Sequence, residues 1–254
     1  MNHLALYKRS LDQEHHLLVV RGNVAPMLAG MKAYHERHGI EPPQPNLGSL
    51  TRELLAATAL GALSLAERES WGWSLTFEGM DIGFFVGIEP EGMVCVRARA
   101  AETSRASIMV QRQKEGMPMT QSHLRPRTRS PRDMVEQYFA EVVQTKTRLE
   151  ITEAGEGILV HALPGGRFDM VEALEPGGVI RYFDSAAAAG RLRELGEVVL
   201  FYECRCSDEM VLDMILGMPE PDLRELFGDL PQIEIECPRC GRRYSMARTD
   251  VSVH

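Results

Sequence analysis

Two closely spaced cysteine pairs near the C-terminus constrain this chain more than any other feature. Cys204-Arg205-Cys206 comes first, and Cys237-Pro238-Arg239-Cys240-Gly241 follows. The segment between them must fold back to bring the pairs together, and four thiols gathered in this way make a four-sulfur metal site. A set of four thiolates with no histidine nearby is closed, which argues against hydrolytic zinc and for a structural ion.

The surrounding pattern supplies the fold-back. Val198-Val199-Leu200-Phe201-Tyr202 reads as a strand leading into Cys204. Ser207 can cap a helix whose apolar face is supplied by Met210-Val211-Leu212-Asp213-Met214-Ile215-Leu216. A second helix starts at Pro219-Glu220, carries Leu223, Leu226 and Phe227, and ends at Gly228. Ile233 to Glu236 and Tyr244 to Met246 read as the two arms of a hairpin whose turn is the second cysteine pair, with Gly241 at a position suited to positive φ. A segment of this size buries too little surface to be stable alone. Structural zinc contributes about 10–16 kcal/mol in small peptides, so the expectation is a module that folds around Zn2+ held by Cys204, Cys206, Cys237 and Cys240.

Two rival readings use the same cysteines. A thioredoxin-like site needs substantial α/β structure after its Cys-x-x-Cys, and too little chain follows Cys240. A nucleic-acid-binding zinc ribbon needs a basic surface, whereas Asp and Glu outnumber Arg and Lys over 201–254 and the thiolates add further negative charge. The whole chain of 254 residues carries a formal charge of −8, which also argues against a general nucleic-acid binder. No apolar run is long enough to span a membrane, and the N-terminus lacks the apolar core of a signal peptide. The expectation is a cytoplasmic, reduced protein in which paired cysteines bind metal or do redox work.

The residues before the module read as α+β, a mixed sheet packed with helices. Residues 1–22 hold one or two strands, including Leu17-Leu18-Val19-Val20. A helix runs from Val24 to His38. A second, from about Ser49 to Glu69, is apolar on most sides and therefore buried. Residues 71–110 form a β-meander in which Trp71, Trp73, Leu75 and Phe77 alternate with smaller residues. Cys95, inside an apolar strand, reads as an inert core residue. Ser130-Pro131-Arg132-Asp133 opens another helix, and two strands follow at 146–151 and 157–163. His161, on the second of them, reads as a core histidine. Residues 105–132 hold a basic excess (Arg105, Arg112, Lys114, Arg125, Arg127, Arg129 and Arg132). It raises an alternative function: a non-switching, zinc-stapled protein that binds a polyanion through this segment. No catalytic constellation stands out, so no enzyme is expected. Pro164-Gly165-Gly166 divides the chain into a body (1–164), a linker (165–200) with a short helix from about Ser185 to Leu195, and the zinc module (201–254).

The order Cys204-Arg205-Cys206-Ser207, a two-helix insert, an acidic strand, and Cys237-Pro238-Arg239-Cys240-Gly241-Arg242-Arg243-Tyr244 resembles the heat shock protein 33 family. The resemblance extends to Arg21-Gly22, Leu54-Leu55-Ala56-Ala57-Thr58, Glu78-Gly79, and Glu136-Gln137-Tyr138-Phe139 followed by Thr147-Arg148-Leu149. It implies a redox-regulated, ATP-independent holdase chaperone. In the reduced form the four cysteines hold zinc and the chaperone is off. Oxidants form the disulfides Cys204–Cys206 and Cys237–Cys240 and expel the metal. Tail and linker then unfold, and the activated form, as a homodimer, binds unfolding client proteins. The chain departs from the family where a Ser-Glu-Gln element usually follows Tyr138-Phe139, since Ala140-Glu141-Val142 stands here. Its linker is also short.

Overall fold

Alternating apolar residues and turn-forming glycines make the chain rich in strands. The computed structural model, which describes residues 3–65, 68–101 and 105–251, joins ten of them in one mixed sheet. The first hairpin is β1 (Ala5–Asp12) and β2 (Leu17–Asn23). Helix α1 (Ala25–His38) follows, and then α2 (Gly48–Leu63), with residues 54–62 all buried. Thr58 avoids an unpaired hydroxyl there by donating to the Leu54 carbonyl at 2.7 Å. The second helix ends earlier than its apolar run suggests, because the chain must turn to enter β3. Residues 66 and 67 of that expected helix lie outside the described residues, as do 1, 2 and 252–254 at the ends.

The meander comprises β3 (Glu69–Thr76), β4 (Ile82–Ile88), β5 (Met93–Ala100), β6 (Ser107–Lys114) and β7 (Thr120–Leu124). Its inward residues Trp71, Trp73, Leu75 and Phe77 are buried, as period-2 alternation requires. Helix α3 (Pro131–Tyr138) is capped by Ser130, whose Oγ accepts from the Asp133 N–H. A one-turn π segment, Phe139–Val143, continues it into β8 (Thr147–Ile151) and β9 (Glu156–Ala162).

Residues 165–200 differ most from the sequence reading. They hold α4 (Phe168–Glu172), α5 (Gly178–Ala188) and most of β10 (Leu192–Tyr202). Gly190 and the alternating residues after it favour extension, so the helix expected at 185–195 lies earlier and stops at Ala188. The complete sheet order is β7-β6-β3-β4-β5-β10-β1-β2-β9-β8. Strand β10 therefore sits in the middle, antiparallel to β1 and parallel to β5. Helix α5 packs Val179, Tyr182 and Ala186 on Leu17, Val19, Ile158 and Val160, forming a second apolar cluster. Asp12, fully buried, ties this segment to the first hairpin. It accepts from Tyr182 Oη at 2.6 Å, from Arg191 Nε at 3.1 Å and from His15 Nδ1 at 3.1 Å. Burial alone would raise its pKa, but these hydrogen bonds outweigh it and hold the carboxyl at about 2.

The chain ends with α6 (Asp208–Leu216), α7 (Glu220–Phe227), a two-stranded ribbon of β11 (Gln232–Glu236) and β12 (Arg243–Ala247), and a final turn α8 (Arg248–Val251). Ser207 caps α6 by accepting from the Met210 N–H. The molecule is α+β, with the expected helix–helix–hairpin order at its C-terminus. No helix among the described residues is long and apolar enough to cross a membrane.

Candidate metal centre

Strand β10 delivers the first cysteine pair. Its last residues pair in parallel with β5, Phe201 with Met93 and Tyr202 with Val94, and the Glu203 N–H donates to the Val94 carbonyl at 3.0 Å. The chain then leaves the sheet through Cys204 and Cys206 and enters the Ser207 cap. The second pair occupies the turn between β11 and β12. Cys237 N–H donates to the Arg242 carbonyl at 2.8 Å, and Gly241 N–H to the Cys237 carbonyl at 2.9 Å. Closing this turn needs φ of 87° at Gly241, where a side chain would be strained.

The structure brings all four sequence-predicted thiols together. Cys204, Cys206, Cys237 and Cys240 are buried, their Sγ atoms lie within 4.8 Å of one another, and Cys206 and Cys240 are 3.5 Å apart. A tetrahedral ion with sulfur bonds of about 2.3 Å sets its ligands roughly 3.8 Å apart, so this donor set fits one metal ion. The mutual hydrogen bonds of the sulfurs point the same way. Donation from Cys204 holds Cys237 far below the usual thiol range and Cys206 down to about 6, while Cys204 itself is pushed far above it. Four thiols this close cannot all ionise without a cation among them.

The module also docks on the sheet. Along β4 and β5 the residues Phe85, Gly87, Cys95 and Arg97 face one side, with Gly87 opposite Cys95 and Phe85 opposite Arg97 in register. Arg97 Nη1 donates to the Cys237 carbonyl at 2.6 Å, and its Nη2 pairs with Glu236 at 2.7 Å. Arg239, the residue between the cysteines of the second pair, lies over the Phe85 ring and pairs with Glu89, whose side chain is only 5% exposed. Glu89 also accepts from Ser70 Oγ at 2.8 Å and lies 3.5 Å from Arg205. A Cβ on Gly87 would come within 2.7 Å of Arg239 Nη2 and 3.1 Å of Cys95 Sγ, so glycine is what admits the guanidinium. From α1, Tyr34 Oη donates to Cys240 Sγ at 3.4 Å. Sequence reasoning did not single out Tyr34, Glu89 or Arg97. The every-other-residue spacing of Phe85, Gly87 and Glu89 marks a common face, but nothing local shows what covers it.

The other flagged residues separate. Cys95 is buried in β5 as expected, its Sγ beside Gly87 on the face of the sheet where Arg239 docks. His161 is buried, its Nδ1 3.1 Å from Thr147 Oγ1, and burial lowers its pKa to about 4. Within the basic stretch, Arg112 pairs with Glu69 and lies over Trp71, Arg127 pairs with Glu141, Arg132 with Asp133, and Arg129 donates to the Glu78 carbonyl.

Comparison with known proteins gives a consistent picture. Residues 18–247 match the family model described as Hsp33 protein. The 33 kDa chaperonin of Clostridium novyi (strain NT) is 24% identical over 144 residues, covering 47% of this chain and 49% of that protein. The chain thus aligns with about half the length of that curated relative. The crystal structure of the 33 kDa chaperonin (heat shock protein 33 homolog) of Thermotoga maritima superposes with a TM-score of 0.65. That superposition covers 98% of this chain and 96% of the other at 16% identity, a likeness of fold.

Proposed function

The chain belongs to the Hsp33 family, and from that premise we propose that it is a redox-regulated, ATP-independent holdase chaperone of the cytoplasm. Its reduced form holds one Zn2+ through Cys204, Cys206, Cys237 and Cys240. Residues 1–164 form the client-binding body, 165–200 the linker and 201–254 the switch. The observation that carries this reading is the gathering of four buried thiols in a small module that rests on the sheet through polar contacts.

When bound, zinc neutralises the thiolates and cross-links the module, a contribution of about 10–16 kcal/mol in small peptides. Peroxide oxidises the thiols in pairs, Cys204 with Cys206 and Cys237 with Cys240, each pair giving up two electrons as the peroxide oxygens leave as water. Disulfide sulfurs no longer serve as thiolate ligands, so the module loses its staple. Its buried Val211, Ile215 and Phe227 then join the already exposed Met210, Met214, Leu226 and Leu230 as apolar surface. That surface suits unfolding clients and self-association of the activated form. The linker of this switch is a docked one, and its release has to overcome the Asp12 anchor and the β10 pairing.

Bound metal, free thiols and suppression of client aggregation, each measured before and after peroxide at raised temperature, test the proposal. Zinc is expected to leave as thiols disappear and aggregation to be suppressed only afterwards. Retained zinc, or unchanged aggregation after its loss, refutes it.

A further inference from the structure

We propose, on the holdase reading above, that the free edge of β5 is where a client is held: an extended segment of the unfolding chain adds to it as a strand once the metal module steps aside. Strand β5 pairs with β4 from Val94 to Ala100, whereas on its other side β10 meets it only at Met93 and Val94. Every second residue turns its backbone groups to that other side. The Gly92 and Val94 carbonyls accept there from the Phe201 and Glu203 N–H groups at 2.9 and 3.0 Å, and the Val96 carbonyl accepts from Tyr202 Oη at 3.0 Å. Ala98 and Ala100 come next in the series. No strand lies beside them among the described residues, and residues 96–100 line a cavity of about 400 Å3 instead. An unpaired strand edge is a ready template for another chain, and adding a strand to such an edge is a recurring mode of peptide recognition.

The cavity has the chemistry of a polypeptide site. Met31, Leu47, Ile82 and Val96 give it apolar lining. Thr51, only 2% exposed, adds a hydroxyl with no hydrogen-bond partner among the described residues. Buried polar atoms ordinarily have a partner, and a peptide group entering the cavity supplies one. Arg99, Arg243, Glu41 and Asp81 also line it, all of them exposed and none in an ion pair among the described residues. A rim of both signs repels neither acidic nor basic segments. Pairing through backbone groups reads no particular side chain, as a binder of many unfolding chains requires. In the folded form Glu236, Gly241 and Arg243 of the module make one wall, and the connector at 41–44 makes another. Arg97, on β5 itself, fastens the module wall through the Cys237 carbonyl and Glu236. Release of the module therefore uncovers the edge, and opening of the two-residue seam with β10 lengthens it.

Hydrogen exchange on the full-length protein tests this. The zinc-loaded chain is treated with hydrogen peroxide at raised temperature and mixed with reduced, carboxymethylated α-lactalbumin, a permanently unfolded probe. Binding of the probe and exchange at the Ala98 and Ala100 amides are read in parallel. Exchange at these amides is expected to slow about tenfold when the probe binds, and to be unaffected by the probe in the reduced protein. Probe binding without slowing overturns this proposal and leaves the holdase reading standing. No probe binding by the oxidised protein overturns both, and equal slowing in the reduced protein overturns the gating by the module. Ala98→Pro removes the N–H that the added strand would pair with, so probe affinity is expected to fall about tenfold. Ala98→Ser keeps the N–H and is expected to bind as wild type does. Equal affinity in the Pro and Ser variants overturns the strand pairing. Melting and zinc content show whether the variants fold; where Ala98→Pro does not, Ala100→Pro, at the last residue of β5, is read in its place.

Discussion

Replacing Glu89 by Gln tests how the metal module is held. The change keeps the side-chain volume and one carbonyl acceptor for Ser70, and it removes the charge that Arg239 faces. Glu89 is almost completely buried and Arg239 is only 20% exposed, so the guanidinium is left without its anion over the Phe85 ring. Removing one partner of a buried ion pair costs about 3–5 kcal/mol. The partial exposure of Arg239 and the surviving amide acceptor reduce this to about 2–3 kcal/mol. Each 1.4 kcal/mol is roughly tenfold in an equilibrium constant. The undocked population should therefore rise about 30- to 150-fold, and if metal leaves from the undocked form, the rate of loss to excess chelator should rise by a similar factor. Hydrogen exchange at the β11 and β12 amides should accelerate in step. Because a buried pair is screened little by salt, the difference from wild type should survive at high ionic strength. A double-mutant cycle with Arg239→Gln should show coupling of more than about 1 kcal/mol. Metal release within about threefold of wild type, or strict additivity in the cycle, would refute the view that this pair docks the module.

Three further outcomes are expected. Gly87→Ala places a Cβ against Arg239 Nη2 and Cys95 Sγ, so docking should weaken by about 1–3 kcal/mol, read as faster chelator access while the melting of the body changes little. Cys206→Ser, or chelation of the metal, should unfold residues 201–254, seen as loss of exchange protection across β11 and β12; an unchanged module would show that Cys206 holds no metal. His161 titrates at about 4 when folded and near 6.5 when unfolded, so the unfolded chain takes up its proton first as pH falls. Stability should be complete above pH of about 6.5 and decline toward pH 4, by up to about 3 kcal/mol. Urea midpoints across that range should flatten in His161→Gln, and an unchanged slope would show that another group is responsible.

Local pattern made much of this molecule legible. The meander announces itself through Trp71, Trp73, Leu75 and Phe77, the buried helix through its continuous apolar run, and the hairpin turn through Cys237 to Gly241. Cap chemistry placed the starts at Ser130 and Ser207. Residues 165–200 were hidden because their order is tertiary. Leu192-Arg193-Glu194-Leu195-Gly196-Glu197 is charged and largely exposed, and it becomes a strand because β1 offers an edge along eight paired positions. Tyr182 and Arg191 look like surface residues until Asp12 is seen between them. The docking face was hidden for a similar reason. Phe85, Gly87 and Glu89 alternate regularly, but Arg239 reaches them from 150 positions away. Cys95 is buried among its apolar neighbours as its strand position predicts, and what could not be read locally is the parallel pairing of β5 with β10 that brings this strand beside the first cysteine pair.

That pairing links the metal centre to the body. Strand β10 pairs with β1 over eight positions but with β5 at only two, Phe201 with Met93 and Tyr202 with Val94. The two halves of the sheet, β7-β6-β3-β4-β5 and β10-β1-β2-β9-β8, therefore meet along a short seam. It is extended by the hydrogen bonds of Phe201 and Glu203 to Gly92 and Val94. Cys204 lies one residue beyond it. Tyr202 strengthens it from the side, its hydroxyl donating to the Val96 carbonyl at 3.0 Å, and Tyr34 packs on Tyr202 while donating to Cys240. The thiol cluster thus meets the seam at two points, through the backbone of Cys204 and through Tyr34. Helix α2 packs on strands from both halves, β4 on one side and β2, β8 and β9 on the other, so the body stays joined when the seam loosens. The consequence is a graded response. The expected outcome, to be read by hydrogen exchange after metal removal, is that disorder at the thiols reaches β10 and the edge of β5 first and exposes buried residues such as Val94 and Leu200 while the remaining core stays protected under α2.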